Sequence, residues 1–167
     1  MEWAVEVFEL LRSADVRHVG YVPDAGLSTL IGLADADDAM RATACTTEEE
    51  SVAIATGAWL GGMRSVAMMQ SSGVGNCINM LSLPVLTRSP LLMLVTMRGE
   101  WGEFNPWQVP MSRATEPSLQ AIGIRTLRVE EAADVAPTVE QAITMAFDAD
   151  QQIAVLLSQR LLGAKTW

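Results

Sequence analysis

Apolar residues recur at helical spacing in the first segment of the chain, where Val5, Phe8 and Leu11 share one face of residues 2–14. This spacing predicts an amphipathic helix. After it, short β-prone runs alternate with helical stretches in units of roughly 25 residues. The pattern predicts further helices at 27–33, 48–60 and 135–147, and one after Gly75. It predicts strands at 18–22, 40–45, 65–70, 91–95, 125–129 and 153–157.

Strands that alternate with helices favour a parallel sheet covered on both faces, because parallel neighbours need long crossover connections. We therefore predict a single α/β domain with an open, mostly parallel sheet of about six strands and helices on both faces. Ligands of such sheets bind outside the carboxyl ends of the strands. The informative loops are those that follow Val22, Cys45, Gln70 and Val95.

The longest predicted loop, residues 98–111, contains two tryptophans and two prolines. It is too apolar for a connection that only meets solvent, and loops of this length are uncommon unless they have a function. We expect it to act as a lid or as a docking surface.

Composition narrows the class of protein. The net charge of −9 argues against a nucleic-acid partner, because no basic stripe is available to neutralise phosphates. Half of the 167 residues are hydrophobic, and we expect part of this apolar excess to form an interface. Two distant cysteines, the lack of a signal sequence and the lack of a long apolar run predict a cytoplasmic protein that does not span a membrane.

Three consecutive glutamates begin the predicted helix 48–60. Thr47 with Glu50 matches a capping box, and carboxylates in a first helical turn interact favourably with the helix dipole. That structural interpretation leaves Glu48 unexplained. Glu48 directly follows a strand, at the edge of the sheet where this fold class binds its ligand, and its position favours a functional role.

Residues 71–76, Ser-Ser-Gly-Val-Gly-Asn, lie between a predicted strand and a predicted helix. The backbone N–H groups of the Gly73–Asn76 turn, with Ser72 and Asn76 as further donors, suit an anion. The alternative is a tight turn that needs glycine for structural reasons alone. The segment lacks the lysine of a Walker loop and the third glycine of a dinucleotide fingerprint.

A second candidate for anion binding is Arg98, which follows the apolar strand 91–95. Its planar guanidinium suits a tetrahedral oxyanion. The alternative is a salt bridge to Glu100 or Glu103 that only shapes the loop. The single histidine, His18, is assigned no chemistry, and no cluster has metal-ligand spacing.

Several of these segments together resemble the pyrimidine-binding domain of thiamine diphosphate enzymes, in the branch that contains sulfopyruvate and phosphonopyruvate decarboxylases. The matching segments are Val22-Pro23-Asp24, Glu48 with the small residues after it, Met69 to Asn76, and Arg98-Gly99-Glu100. The chain departs from that branch at Ser71, where asparagine is usual, and the stretch Trp101 to Trp107 has no match.

The resemblance implies that Glu48 hydrogen-bonds the pyrimidine of thiamine diphosphate and so activates the cofactor for attack on a 2-oxo acid. It implies cofactor contacts at Pro23, Asp24, Glu48, Gly73 and Asn76. The expected substrate contacts are Ser71, Ser72, Asn76 and Arg98. The expected substrate is a three-carbon 2-oxo acid with a sulfonate or phosphonate tail.

Enzymes of this family hold the diphosphate through Mg²⁺ with a Gly-Asp-Gly motif and a later asparagine, and this sequence contains no Gly-Asp-Gly. The resemblance therefore implies that a beta subunit supplies the Mg²⁺ ligands and that the cofactor lies across a hetero-oligomeric interface. Two alternatives stay open. One is the subunit of a thiamine-dependent carboligase, and the other is a flavodoxin-like module that binds or regulates without catalysis.

Overall fold

A computed structural model describes residues 2–164 of the chain, and its centre is a six-stranded sheet in which all neighbouring strands are parallel. The strand order is β2-β1-β3-β4-β6-β5. The predicted open, parallel α/β fold is confirmed. The strands are β1 (Val16–Tyr21), β2 (Arg41–Ala44), β3 (Arg64–Gln70), β4 (Leu91–Thr96), β5 (Arg125–Val129) and β6 (Gln152–Leu157).

Within residues 2–164, eight α-helices and one short 3-10 helix precede, connect or follow these strands. The 3-10 helix covers Ala132–Asp134. The α-helices are α1 (Glu2–Ser13), α2 (Ser28–Asp35), α3 (Glu48–Leu60), α4 (Ser71–Cys77), α5 (Ser82–Thr87), α6 (Gln108–Ala121), α7 (Val135–Phe147) and α8 (Gln159–Leu162).

Two predictions about helices were wrong. The glycine-containing segment after β3 is not a turn that precedes a helix, because α4 begins at Ser71, directly after the strand, and contains Gly73 and Gly75. The predicted loop 98–111 is also too long, since α6 begins at Gln108 and was not predicted.

The sheet separates two apolar clusters, as the alternation of side chains along each strand requires. Helices α1, α2 and α7 pack on one face, against residues such as Met68 and Leu94. Helices α3, α4 and α6 cover the other face, against residues such as Met69 and Val95. All six residues of β4 are buried, as expected for a strand covered on both sides.

Helix α3 lies close to the sheet where β1 contains Gly20. A β-carbon on Gly20 would lie 3.1 Å from the Cα of Ser51 and 3.2 Å from its Cβ. This close approach sets the start of α3 against β1. Strand β2, which leads into α3, forms the edge of the sheet and pairs with β1 alone.

In the part of the chain from residue 2 to residue 164, no helix has both the length and the apolar character needed to cross a bilayer.

Candidate active site

Glu48 is the first residue of α3 and is half-buried at the carboxyl edge of the sheet, the edge at which the parallel strands end. Its backbone carbonyl accepts a hydrogen bond from Ser51 Oγ at 2.6 Å. The predicted capping box does not form, because Thr47 makes no capping hydrogen bond with its side chain. Instead the Glu50 carboxylate accepts from the backbone N–H of Thr46 at 2.6 Å. Glu50 thus has a structural partner at the helix start, whereas the Glu48 side chain extends toward α4.

Two residues of α4 meet the Glu48 side chain. Asn76 Nδ2 donates a hydrogen bond to Glu48 Oε2 at 2.8 Å. A β-carbon on Gly73 would lie 2.3 Å from Cγ of Glu48 and 2.4 Å from its Oε1. Only a glycine leaves room for this carboxylate. The sequence analysis placed Gly73 and Asn76 beside the ligand, and the structure brings both of them against Glu48.

Asp24 joins the ends of three neighbouring strands. Its carboxylate accepts hydrogen bonds from Gln70 Nε2 at 2.9 Å, at the end of β3, and from Thr96 Oγ1 at 2.8 Å, at the end of β4. The backbone N–H of Gly26 also donates to it, at 3.0 Å. These bonds fix the loop after β1. The adjacent Pro23 is exposed and lines a shallow hollow above α2.

Ser71 is fully buried and has a structural role in this chain. Its hydroxyl accepts a hydrogen bond from the backbone N–H of Arg98 at 3.1 Å, and its carbonyl accepts from Thr115 Oγ1 at 3.2 Å. It thereby ties α4 to the end of β4 and to α6. Ser72 is half-buried and donates to Gln70 Oε1 at 3.0 Å.

Arg98 forms a buried ion pair with Glu103. The guanidinium donates through Nε and Nη2 to the two carboxylate oxygens, each at 2.6 Å, and the side chains are 9% and 3% exposed. The structural alternative considered for Arg98 is therefore the arrangement observed. Glu103 also accepts from Gly99 N, Asn105 N and Gln159 Nε2. The hydrogen bond from Arg98, aided by these donors against the opposing effect of burial, lowers the pKa of Glu103 to about 2.

Sequence reasoning missed Gln159 and Thr96. Gln159 is 1% exposed and its Oε1 accepts from the backbone N–H groups of Glu100 and Trp101, so it holds the loop after β4. Both residues are polar and lie at or just after the end of a strand predicted to be buried. A polar residue at such a strand end could have marked both of them as candidates for the site.

An apolar groove of about 720 Å³ opens beside the site. Trp107 lies at its rim and is 83% exposed. The groove is lined by Ser72, Pro106, Trp107, Pro110, Met111 and Ala114.

Two buried cysteines lie near the carboxylates. Burial, together with the charges of Glu48 and Glu49, raises the pKa of the Cys77 thiol to about 12. Burial also raises the pKa of Cys45. Within residues 2–164, no group of three His, Cys, Asp or Glu side chains is arranged to hold a metal ion.

No family model matches the chain. A protein comparison gives a clear result: the sulfopyruvate decarboxylase subunit alpha of Methanothermobacter thermautotrophicus is 34% identical over 152 residues, 90% of this chain and 92% of that protein. The chain belongs to this family of alpha subunits. A phosphonopyruvate decarboxylase of Streptomyces viridochromogenes is 40% identical over 101 residues, which are 60% of this chain and 25% of the relative.

The fold of this chain also occurs in solved structures of other proteins. A Mycobacterium smegmatis protein that has been proposed to be a thiamin diphosphate-dependent enzyme superposes with a TM-score of 0.72 at 18% identity. The match covers 98% of this chain and 33% of that structure. Nearly all of this chain is thus similar in fold to one third of the longer Mycobacterium smegmatis chain.

Proposed function

We propose that this chain is the alpha subunit of a two-chain, thiamine diphosphate-dependent 2-oxo acid decarboxylase, in which it supplies the activating carboxylate of Glu48. The observation that carries the proposal is the Glu48 carboxylate at the carboxyl edge of the sheet, held between Gly73 and Asn76 of α4. The names of its relatives support the reaction, and the fold shared with a thiamin diphosphate-dependent enzyme supports the cofactor.

The residues at this edge fit the pyrimidine end of the cofactor. Oε1 of Glu48 has no hydrogen-bond donor among the described residues, so it is available to a ring nitrogen. When bound, thiamine diphosphate supplies an electron sink for the loss of carbon dioxide from a 2-oxo acid. With the cofactor bound, Glu48 would share a proton with the ring, while Gly73 makes room for the carboxylate and Asn76 holds its other oxygen. Asp24 keeps the neighbouring loop in place.

The diphosphate and Mg²⁺ are assigned to a beta subunit. The sequence has no Gly-Asp-Gly motif, and the described residues form no cluster suited to a metal ion. The subunit name of the relatives supports a partner. The groove at Trp107 offers an exposed apolar surface next to the site. We assign this surface to the interface with that partner. The two free, buried cysteines support a cytoplasmic location.

The proposed substrate is sulfopyruvate, with phosphonopyruvate as the second candidate, on the names of the relatives. Among the residues predicted to contact its anionic tail, Ser72 is half-buried and opens on the groove, whereas Ser71 is fully buried. Arg98 reaches the tail only if it releases Glu103, so we assign it first to the structure of the loop.

Reconstitution tests the proposal. The partner to test is the product of any neighbouring reading frame that contains Gly-Asp-Gly and a downstream asparagine. We expect the chain alone to release no carbon dioxide from sulfopyruvate and the mixture to release it. Micromolar, Mg²⁺-dependent cofactor binding by the isolated chain in a calorimeter would contradict the two-chain arrangement. A clear preference of the mixture for pyruvate or an aromatic 2-oxo acid would contradict the substrate.

A further inference from the structure

Apart from the positive end of the α3 helix dipole, the groups around the Glu48 side chain include other acidic side chains and neutral thiols. Glu49 and Glu50 follow it in the first turn of α3. The thiols of Cys45 and Cys77 both have a pKa raised in part by the charge of Glu48, so they remain neutral neighbours. A carboxylate in such surroundings adopts a defined orientation only if a donor holds it.

The donor present is the side-chain amide of Asn76. It reaches Oε2 of Glu48 at 2.8 Å from a different helix, 28 residues further along the chain. Gly73 lies one helical turn before Asn76, so both residues face Glu48 from the same side of α4. The carboxylate thus touches the backbone of α4 at Gly73 and is hydrogen-bonded at Asn76.

Helix α4 is itself fixed in place by α6. Thr115 Oγ1 of α6 shares its hydrogen between the carbonyl of Met111, at 2.7 Å, and the carbonyl of Ser71, at 3.2 Å. A β-carbon on Gly75 would lie 3.0 Å from the Sδ of Met111, so the two helices are in close contact there. The Asn76 amide therefore extends from a well-anchored element, which is what a positioning group requires.

We propose that Asn76 is a positioning residue for the activating carboxylate: its amide holds Oε2 of Glu48, so that Oε1 alone faces the pyrimidine. In this proposal the main role of Asn76 is to hold Glu48. The sequence analysis expected Asn76 to contact the cofactor and the substrate instead. This inference rests on the proposed function of Glu48. An amide can donate but cannot take up the carboxylate's proton, so the proton exchanged with the ring stays on the Oε1 side.

The first test needs no cofactor. Nuclear magnetic resonance of the full-length, ¹⁵N-labelled chain follows the side-chain amide of Asn76. We expect its resonances to move when Glu48→Gln removes the charged acceptor, and to stay in place in the matched variant Glu49→Gln. Unchanged Asn76 resonances in Glu48→Gln would overturn the proposal, because the hydrogen bond would then be absent in solution.

The second test uses the chain assembled with its partner and thiamine diphosphate. Asn76→Ala is expected to lower kcat roughly 10- to 100-fold, the effect of a hydrogen bond to a charged group, with little change in cofactor affinity. The control is Gln120→Ala, which removes another exposed amide, bonded to Glu116 at 3.4 Å on α6, and is expected to leave kcat unchanged. Equal activity of the Asn76→Ala and Gln120→Ala enzymes would overturn the proposal.

The isosteric variant Asn76→Asp separates positioning from a merely structural role. It places a second carboxylate against Glu48, and two adjacent carboxylates hold a shared proton more tightly than one does. Below the pH at which that proton is lost, the acid form of Asp donates as the amide did. We expect its activity to peak at lower pH than that of the wild type, and an unshifted profile would count against positioning. If Glu48→Gln itself were fully active, the proposed function would fail instead.

Discussion

A β-carbon added to Gly73 would lie 2.4 Å from Oε1 of Glu48, closer than any real contact between such atoms. Gly73→Ala must therefore displace the carboxylate or α4. We expect the reconstituted enzyme to lose at least about tenfold in activity. The free energy of unfolding should change by no more than about 1 kcal/mol, because the half-exposed Glu48 side chain can move aside and alanine favours the helix. Urea titration and steady-state kinetics measure the two effects.

The matched control is Gly57→Ala, in the same helix as Glu48. A β-carbon at Gly57 meets nothing within 4 Å. Alanine there is expected to stabilise the helix by up to about 1 kcal/mol and to leave activity unchanged. Loss of activity in both variants would show that activity is sensitive to added side chains in α3 and α4 alike, rather than to the contact between Gly73 and the carboxylate.

Among the three glutamates at the start of α3, we expect Glu48 alone to be essential. Glu48→Gln keeps the shape of the side chain but cannot share a proton with the pyrimidine. Proton exchange at C2 of the thiazolium ring of the bound cofactor should therefore slow by about 100-fold or more. Glu49→Gln and Glu50→Gln remove charges near the helix start and should cost roughly 0.3–1 kcal/mol in stability. If the Glu48→Gln enzyme stayed active while Glu49→Gln or Glu50→Gln abolished activity, the activating carboxylate would have to be Glu49 or Glu50 instead.

The ion pair of Glu103 with Arg98 predicts a dependence of stability on acid. The pKa of Glu103 is lowered in the fold from 4.5 to about 2. Its stabilising contribution is therefore complete above the unfolded value and is lost as the pH falls from about 4.5 toward 2. Urea unfolding of wild type and Glu103→Gln between pH 6 and pH 2.5 measures the difference, which should shrink across that range.

At neutral pH, Glu103→Gln leaves a buried, unpaired Arg98 and should cost on the order of 3 kcal/mol. The comparison variant is Asp148→Asn. It breaks an ion pair in which the Asp148 side chain is 58% exposed and the Arg64 side chain is 34% exposed. That variant should change stability by less than about 1 kcal/mol. Equal effects of the two substitutions would mean that the pair at Arg98 is open to solvent.

The buried thiol of Cys77 predicts a loss of stability in alkali. Its pKa is raised from 9.0 to about 12, chiefly by burial. Above pH 9 the unfolded thiol loses its proton while the folded one keeps it, so the free energy of unfolding falls as the pH rises. The difference in stability between wild type and Cys77→Ala should therefore narrow between pH 8 and pH 10.5.

The same thiol should react slowly with iodoacetamide in the native chain, because the thiolate is the reactive form. Cys45 should also react slowly, since burial raises its pKa too. Addition of urea should release both cysteines to ordinary rates. Rapid alkylation of the native protein at pH 8 would show that the carboxyl edge opens in solution.

The extent of α3 was predictable because the sequence marks both of its ends. A run of glutamates begins the helix and Gly61 follows its last residue, and the structure places it at Glu48–Leu60. Helix α6 gave no such signal. It contains Pro110 and Pro117, and it buries only Ser112, Thr115 and Leu119, which form no apolar stripe.

The sequence predicted where the candidate residues lie, at the carboxyl edge of the sheet, but it did not predict the hydrogen bonds between them. Sequence order placed Asp24, Glu48 and Asn76 near strand ends, and the parallel sheet brings those ends to one edge. The hydrogen bond of Asn76 to Glu48 depends on how α4 lies against α3, which no local pattern encodes. The choice of Glu103 over a ligand for Arg98 depends likewise on the path of the loop after β4.

Because Gly20 of β1 lies so close to Ser51 of α3, the position of Glu48 is set by an inner strand of the sheet rather than by β2, the strand that leads into α3. Strand β2 has four residues and one paired side, so we expect it to open more easily than the inner strands. Fraying there loosens the entry to α3 but leaves its anchor on β1 intact. We therefore expect short insertions in the turn before β2 to disturb Glu48 less than a side chain at position 20, whose β-carbon would press on the Cα of Ser51 at 3.1 Å.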